Sequence, residues 1–314
     1  MTHGIQIDVP GYRAPRQVCQ LARWLAERRL PSALAANRRF WPPFCHLPDG
    51  FAFDPEDHIG ARVLTSGLYE AQEIQAAAHL AKVTNATRGL FVDIGAHMGV
   101  YTCTLGRQFQ GVVAFEPNPR IFLLLKHNTY HLPQVDCRPM ALAQGRAVAK
   151  LLSEPGNSGH AWLEQFTSTD GARVDGATVD VDSLDAQLAD RAAPIGFIKI
   201  DVEGAETNVL RGARRTLQKD RPLVSFEALG GSQFMSHESP FDILRREGYR
   251  VMRPRHRSPS DVRALNFLHR VFVAPRLVLE ELMAPPLSTH RQLFAIPEEV
   301  WPEVVNSRAD GRLD

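Results

Sequence analysis

Acidic residues at the ends of apolar runs are the groups in this chain best placed to do chemistry. The run Leu90-Phe91-Val92 ends in Asp93 and passes at once into Ile94-Gly95-Ala96-His97-Met98-Gly99. Roughly 20 residues further on, Val112-Val113-Ala114-Phe115 ends in Glu116. An apolar run of this length suits a buried parallel strand, and the two glycines let the backbone turn sharply and approach a ligand as a helix begins. An acid at the next strand end is where such folds hold ribose hydroxyls, because two carboxylate oxygens can accept from both at once. The glycines lack the G-x-G-x-x-G spacing and no phosphate-cradling lysine follows, which disfavours NAD and ATP. The pattern suits an adenosine without a pyrophosphate, as in S-adenosylmethionine. Asp93, Gly95, Ala96, His97, Gly99 and Glu116 are therefore cofactor-site candidates, with Tyr101, Thr102 and Asn118 as further lining and Ala141 against the adenine. For Asp93 the structural alternative is a carboxylate that caps the following helix.

Two later apolar runs also end in acids. Ile195 to Ile200 leads into Asp201-Val202-Glu203, and Leu223 to Phe226 leads into Glu227. These positions fall on the edge where open α/β sheets bind ligands. Attack of an acceptor hydroxyl on a bound donor is accelerated by holding the two reacting atoms about 3 Å apart. The alcohol must also lose its proton, and a desolvated carboxylate can take it. Glu203 is the leading base, and Asp201 a positioning group for cofactor or substrate. The structural alternative for Glu203 and Glu206 is that they face the positive start of the next helix. Glu227 is placed to bind a sugar hydroxyl, and His160 and His237, in polar loops, are candidate bases of suitable pKa. Asp201, Glu203 and Glu227 together have the chemistry of a hard-cation site, which is an alternative and not an assignment; no metal is predicted.

The elements that must position these acids alternate. Strands are predicted over 90–94, 112–116, 135–139, 195–201 and 223–227, with helices over 99–109, 118–131, 182–188, 205–218 and 239–247. Residues 249–252 and 270–273 are predicted to pair as an antiparallel hairpin, giving seven strands. Alternation of this kind means a parallel, doubly wound sheet. The polar stretch 153–176 interrupts it as a substrate-facing loop or a hairpin insertion. Ahead of the core, 16–30 reads as a basic amphipathic helix, 51–54 as a short strand and 69–82 as a helix. The predicted organisation is a mainly helical cap over 1–85, a cofactor-binding domain over 86–275 and a tail over 276–314 that packs on the core or on a partner subunit.

Composition narrows the partners. The chain has 36 basic and 35 acidic residues, so no overall field attracts nucleic acid. Its four cysteines, Cys19, Cys45, Cys103 and Cys137, make no metal knuckle or disulfide framework. No apolar run reaches the roughly 20 residues that span a bilayer. A cytoplasmic enzyme with a small-molecule acceptor is the expectation, and the N-terminal arginines leave a homodimer interface open.

Several strings together resemble one known family. Asp93-Ile94-Gly95-Ala96, Gly99-Val100-Tyr101-Thr102, Glu116-Pro117-Asn118-Pro119 and above all Ile198-Lys199-Ile200-Asp201-Val202-Glu203-Gly204-Ala205-Glu206 resemble the FkbM-type S-adenosylmethionine-dependent methyltransferases. Gly67-Leu68-Tyr69-Glu70, Val181-Asp182-Ser183-Leu184 and Val209-Leu210-Arg211-Gly212-Ala213 agree, which adds Glu70 to the cofactor-site candidates. The resemblance covers 60–275 and implies a class I, Rossmann-like methyltransferase fold and O-methylation of a sugar, glycoside or secondary-metabolite hydroxyl. The alternatives are a carboxylate or nitrogen acceptor, or a cofactor-binding but inactive scaffold protein. His97 departs from the family, which commonly has asparagine there.

Overall fold

Apolar strands that alternate with amphipathic helices can bury a sheet only between helical layers. The computed structural model describes residues 6–9, 46–54, 57–154, 157–163, 176–228, 238–257, 276–286 and 290–307. The first part of the chain supplies β1 (Gln6–Asp8), α1 (His58–Ser66), α2 (Ala71–Val83), β2 (Leu90–Ile94), α3 (Val100–Leu105), β3 (Gly111–Phe115), α4 (Pro119–Thr129) and β4 (Val135–Arg138). Then come β5 (Ala141–Leu142), β6 (Ala147–Glu154), β7 (Asn157–Leu163), β8 (Gly176–Asp182), α5 (Leu184–Gln187), β9 (Ile195–Ile200), α6 (Glu206–Gly212) and α7 (Arg214–Lys219). The remainder gives β10 (Leu223–Ala228), α8 (Pro240–Arg246), β11 (Tyr249–Arg257), β12 (Arg276–Leu282), β13 (His290–Pro297) and α9 (Trp301–Asn306).

The main sheet has the order β1-β12-β11-β13-β10-β9-β2-β3-β4. Its parallel part is set by registers such as Val92 opposite both Val113 and Ile198, and Val224 opposite Ile198. β13 runs antiparallel to both of its neighbours, β10 and β11. From β2 the chain builds outward to β3 and β4, then returns to place β9 and β10 on the other side. That reversal creates a crevice beyond the carboxyl ends of β2 and β9, where doubly wound sheets bind ligands. A second sheet, β5-β8-β6-β7, stands beside the first.

Side-chain alternation along the strands divides the core. Phe91 and Phe197 face α2, stacking at 5.2 Å between ring centroids and packing with Ile74, Ala77 and Leu80. Val92, Ile94, Ile198 and Ile200 face the opposite layer, against Val209, Leu210, Leu217 and Leu244 of α6, α7 and α8. α8 begins with a capping box in which Ser239 and Asp242 satisfy each other's backbone N–H.

The structure differs from the sequence reading in several places. The main sheet has nine strands, eight if the three-residue β1 is set aside, where seven are expected. The predicted partner of β11, 270–273, lies outside the described residues; β12 and β13, from the predicted tail, flank β11. β12 is rich in charge, but Glu280 and Glu281 meet Arg253 and Arg250 across the β11 ladder. Residues 51–54 form no strand. The amide of Asn128 accepts from Ala52 N–H (2.6 Å) and donates to Ala52 C=O (2.8 Å), doing the work of a neighbouring strand. α2 shares one buried cluster with Phe91, Phe197 and Val304 of α9. The predicted helix over 205–218 is two helices, α6 and α7, and the stretch 153–176 holds the end of β6 and all of β7, which pair as an antiparallel hairpin. The predicted helix at 16–30 lies outside the described residues. No helix among the described residues is long and apolar enough to cross a membrane.

Candidate active site

The backbone after β2 turns in a way that needs glycine. Gly95 has φ +73°, and a Cβ there would sit 1.9 Å from the Asp201 carbonyl oxygen, so the β2 turn and the β9 end pass in direct backbone contact. Gly99 has φ +89° and opens α3. Between them His97 is also left-handed, at φ 51°. This turn aims the His97 N–H at the Glu116 carboxylate, Oε2 accepting at 2.9 Å, while Oε1 accepts from Asn118 N–H at 2.8 Å. Each oxygen keeps a further acceptor position. Burial pushes the Glu116 carboxyl up to about 7 even though the two amide bonds oppose the shift. Burial also pushes the His97 imidazole down to about 4, so it is neutral at physiological pH.

Beyond these strand ends lies a cavity of about 420 Å³, in the range of roughly 300–1,000 Å³ typical of cofactor and substrate sites. Gly95, His97, Glu116 and Pro117 contribute from the β2 and β3 ends; Met140, Ala141 and Leu142, with Leu151 and Leu163 of the hairpin, contribute an apolar wall. Asp201, Glu203 and Glu227 come from the ends of β9 and β10, and Glu70 from the segment before α2. One oxygen from each of Asp201, Glu203 and Glu227 lies within 4.8 Å of the others. Among the described residues, no lysine or arginine lines this cavity.

Backbone strain marks the same place. Of five non-glycine residues with positive φ among the described residues, Glu70, His97 and Glu203 line the cavity. Such conformations cost of order 1–3 kcal/mol each and concentrate at functional sites. Glu227 is raised well above the ordinary carboxylate range by burial, then by the charges of Asp201, Glu203, Glu206 and Glu70, and its Oε2 is buried with no hydrogen-bond partner. Glu70 is raised by burial and by Asp201, although Tyr101 Oη donates to its Oε2 at 3.1 Å. Glu206 does not line the cavity; its Oε1 accepts from Val202 and Gly204 N–H at 3.3 and 3.1 Å, bracing the loop that carries Glu203.

The other sequence candidates stand behind this lining. Asp93 is fully buried, accepts from Thr102 Oγ1 at 2.7 Å and is 3.8 Å from Lys199 Nζ. Tyr101 reaches Glu70, Asn118 caps α4 through Oδ1, and neither touches the cavity; nor do Ala96 and Gly99. His160 is on β7, and His237 lies outside the described residues. Sequence reasoning gave Lys199 no role, although a lysine between Ile198 and Ile200 in a buried strand signals a buried partner. Burial works against its charge, but Asp201, Asp93 and Glu70 together more than offset that, so its pKa is raised. Leu151 and Leu163 carried no local signal, because only the second sheet brings them to the site.

A doubly wound sheet with β13 inserted antiparallel, and a cavity over the β2–β9 crevice, make this a class I methyltransferase architecture. Residues 93–251, half of the chain, match the Methyltransferase FkbM domain, and the chain belongs to the FkbM methyltransferase family. An FkbM methyltransferase structure from Methylobacillus flagellatus is 16% identical, with a TM-score of 0.38, over 82% of this chain and 60% of that one. This chain therefore spans less than two thirds of that protein's length. Precorrin-6y C5,15-methyltransferase from Geobacter metallireducens is similar at 11% identity and a TM-score of 0.39, over 81% of this chain and 96% of that one. Magnesium protoporphyrin IX methyltransferase from Synechocystis, a structure with S-adenosylmethionine bound, gives 9% identity and a TM-score of 0.36, over 83% and 97%. No curated protein matches the sequence.

Proposed function

We propose that this methyltransferase uses S-adenosylmethionine to methylate a hydroxyl of a small polyhydroxylated or glycosylated acceptor. The observation that carries the reading is Glu116: a buried carboxylate at the β3 end, held by two backbone amides, that faces the cavity with acceptor positions to spare. Two ribose hydroxyls would occupy them. Ala141 and Leu142 offer the adenine an apolar surface, and the Gly95 turn allows the ligand to approach the backbone. The donor supplies an electrophilic methyl group on a sulfonium centre, a cation suited to an acid-lined cavity.

Glu203, next to Asp201 and Glu227, takes the proton from the acceptor hydroxyl. Glu227, kept protonated by burial and its acidic neighbours, donates a hydrogen bond to a second acceptor oxygen. Asp201 orients donor or acceptor. The concentration of carboxylates, without lysine or arginine among the described lining residues, counts against a carboxylate acceptor.

Isothermal titration of the protein with S-adenosylhomocysteine, beside NAD and ATP and with and without Mg²⁺, tests the donor. Micromolar binding of S-adenosylhomocysteine alone is expected. Binding of NAD or ATP in its place, or of none of the three, would remove the reading. An acceptor screen beginning with sugars and glycosides then tests the hydroxyl assignment.

A further inference from the structure

Asp93 and Lys199 are direct neighbours across the β2–β9 ladder, so their side chains leave the sheet on the same face. The Lys199 side chain is only 5% exposed. Its ammonium lies 3.0 Å from Asp201 Oδ2, 3.3 Å from the Gly95 carbonyl and 3.8 Å from Asp93 Oδ1. The Tyr101 ring covers it at 4.9 Å, and the Tyr101 hydroxyl continues to Glu70. Lys199 does not line the cavity, whereas Asp201, Gly95 and Glu70 do. One buried cation touches, from behind, the strand-end carboxylate and the glycine turn that face the ligand.

We infer that Lys199 is a positioning residue that fixes the Asp201 carboxylate and the Gly95 carbonyl in the geometry the donor requires. The inference rests on reading this cavity as the donor site. An ammonium suits the task, since it offers three donors from one compact centre. Asp201, whose side chain is 27% exposed, would otherwise turn toward water, and the Gly95 carbonyl would lose its tie across the two strands. Held behind the wall and surrounded by carboxylates, the lysine orders the site without presenting a bare positive charge to a cationic donor.

The test is a double-mutant cycle on the full chain, with S-adenosylhomocysteine affinity measured by titration and folding followed by thermal melting. Lys199→Met and Asp201→Asn should each weaken binding about tenfold, and the double variant should be no weaker than either, because they remove one arrangement. Independent effects that multiply to about a hundredfold would overturn the inference. So would a folded Lys199→Met variant of lower melting temperature and unchanged affinity, which would leave the lysine a role in stability alone. Should Lys199→Met fail to fold, Lys199→Arg keeps the charge but displaces the donors, and it enters the cycle under the same criterion. An unaltered protein that binds no S-adenosylhomocysteine would remove the donor-site reading and this role with it. Binding by the unaltered protein with multiplying effects in the variants would remove this role only.

Discussion

Glu280 and Glu299, on the antiparallel side of the main sheet, and Glu116 and Glu206, at the β3 end and at the start of the helix that follows β9, are one residue type under opposite electrostatics. Glu280 meets Arg253 at 2.6 Å, and Glu299 meets Arg221 at 2.6 Å. Hydrogen bonds from those arginines hold both carboxyls below the ordinary range. Glu116 and Glu206 are buried, are held by backbone amides rather than cations, and are pushed up to about 7. The antiparallel half compensates its charges and gains what stability partly exposed pairs provide. The parallel half keeps carboxylates whose ionised forms destabilise the empty protein. Such an arrangement is sensible where a cationic ligand and a proton-accepting reaction are to be accommodated.

Gly95→Ala should break the parallel half most severely. A Cβ there meets the Asp201 carbonyl at 1.9 Å in a left-handed conformation. The expected loss is roughly 3 kcal/mol or more, read by denaturant unfolding, together with donor binding; unchanged stability would contradict the geometry. Glu203→Gln should lower turnover on the true acceptor by about 100-fold or more while S-adenosylhomocysteine affinity hardly changes. Full turnover would return Glu203 to a role at the helix start. Glu116→Ala should weaken donor binding by one to two orders of magnitude through loss of about 1.5–3 kcal/mol of charge-assisted hydrogen bonding. Equal affinity in a direct titration would refute the ribose assignment.

A pH series sharpens the contrast. The folded pKa values of Glu116 and Glu206 lie above their ordinary 4.5, so the folded state binds more protons and stability falls as pH rises toward and through 7. Between pH 8 and pH 6.5 these two carboxyls should add about 1–2 kcal/mol to the stability of the ligand-free protein, visible as a melting point a few degrees higher, and the raised Glu70 and Glu227 act in the same direction. Below 6.5 the buried His79 and His97, both pushed down to about 4, oppose the gain. Donor binding should move the other way and weaken as Glu116 takes its proton. Stability and affinity that rise together across this window would sink the comparison. The smallest effect belongs to the antiparallel half: Glu280→Gln should cost less than about 1 kcal/mol and leave S-adenosylhomocysteine binding unaltered.

The parts of the site that could be read in the sequence are those with local causes. An apolar run, a glycine turn and an acid at a strand end sit within a few residues of one another, so Gly95, Glu116, Asp201 and Glu203 could be named before their geometry was known. Lys199 was equally visible as a charge in an apolar strand, but its meaning depends on Asp93 and Gly95, some hundred residues away. The pairing of β12 with β11 brings Arg253 and Arg250 against Glu280 and Glu281 across the sheet, and no short window of sequence contains both partners. Asn128 replacing a strand beside Ala52 is likewise invisible locally, since a polar helix residue has many possible uses.

The insertion of β13 between β10 and β11 also governs how this protein is made. β10 carries Glu227, yet one of its two neighbours, β13, is the last strand among the described residues and is made only after some 60 further residues. While the chain from Ala228 to Pro297 is synthesised, at about 5–20 residues per second, the strand at the centre of the site has an open hydrogen-bonding edge. Such an edge invites pairing with other nascent chains. The half of the sheet that carries the cavity therefore depends for its completion on residues that contribute nothing to the cavity.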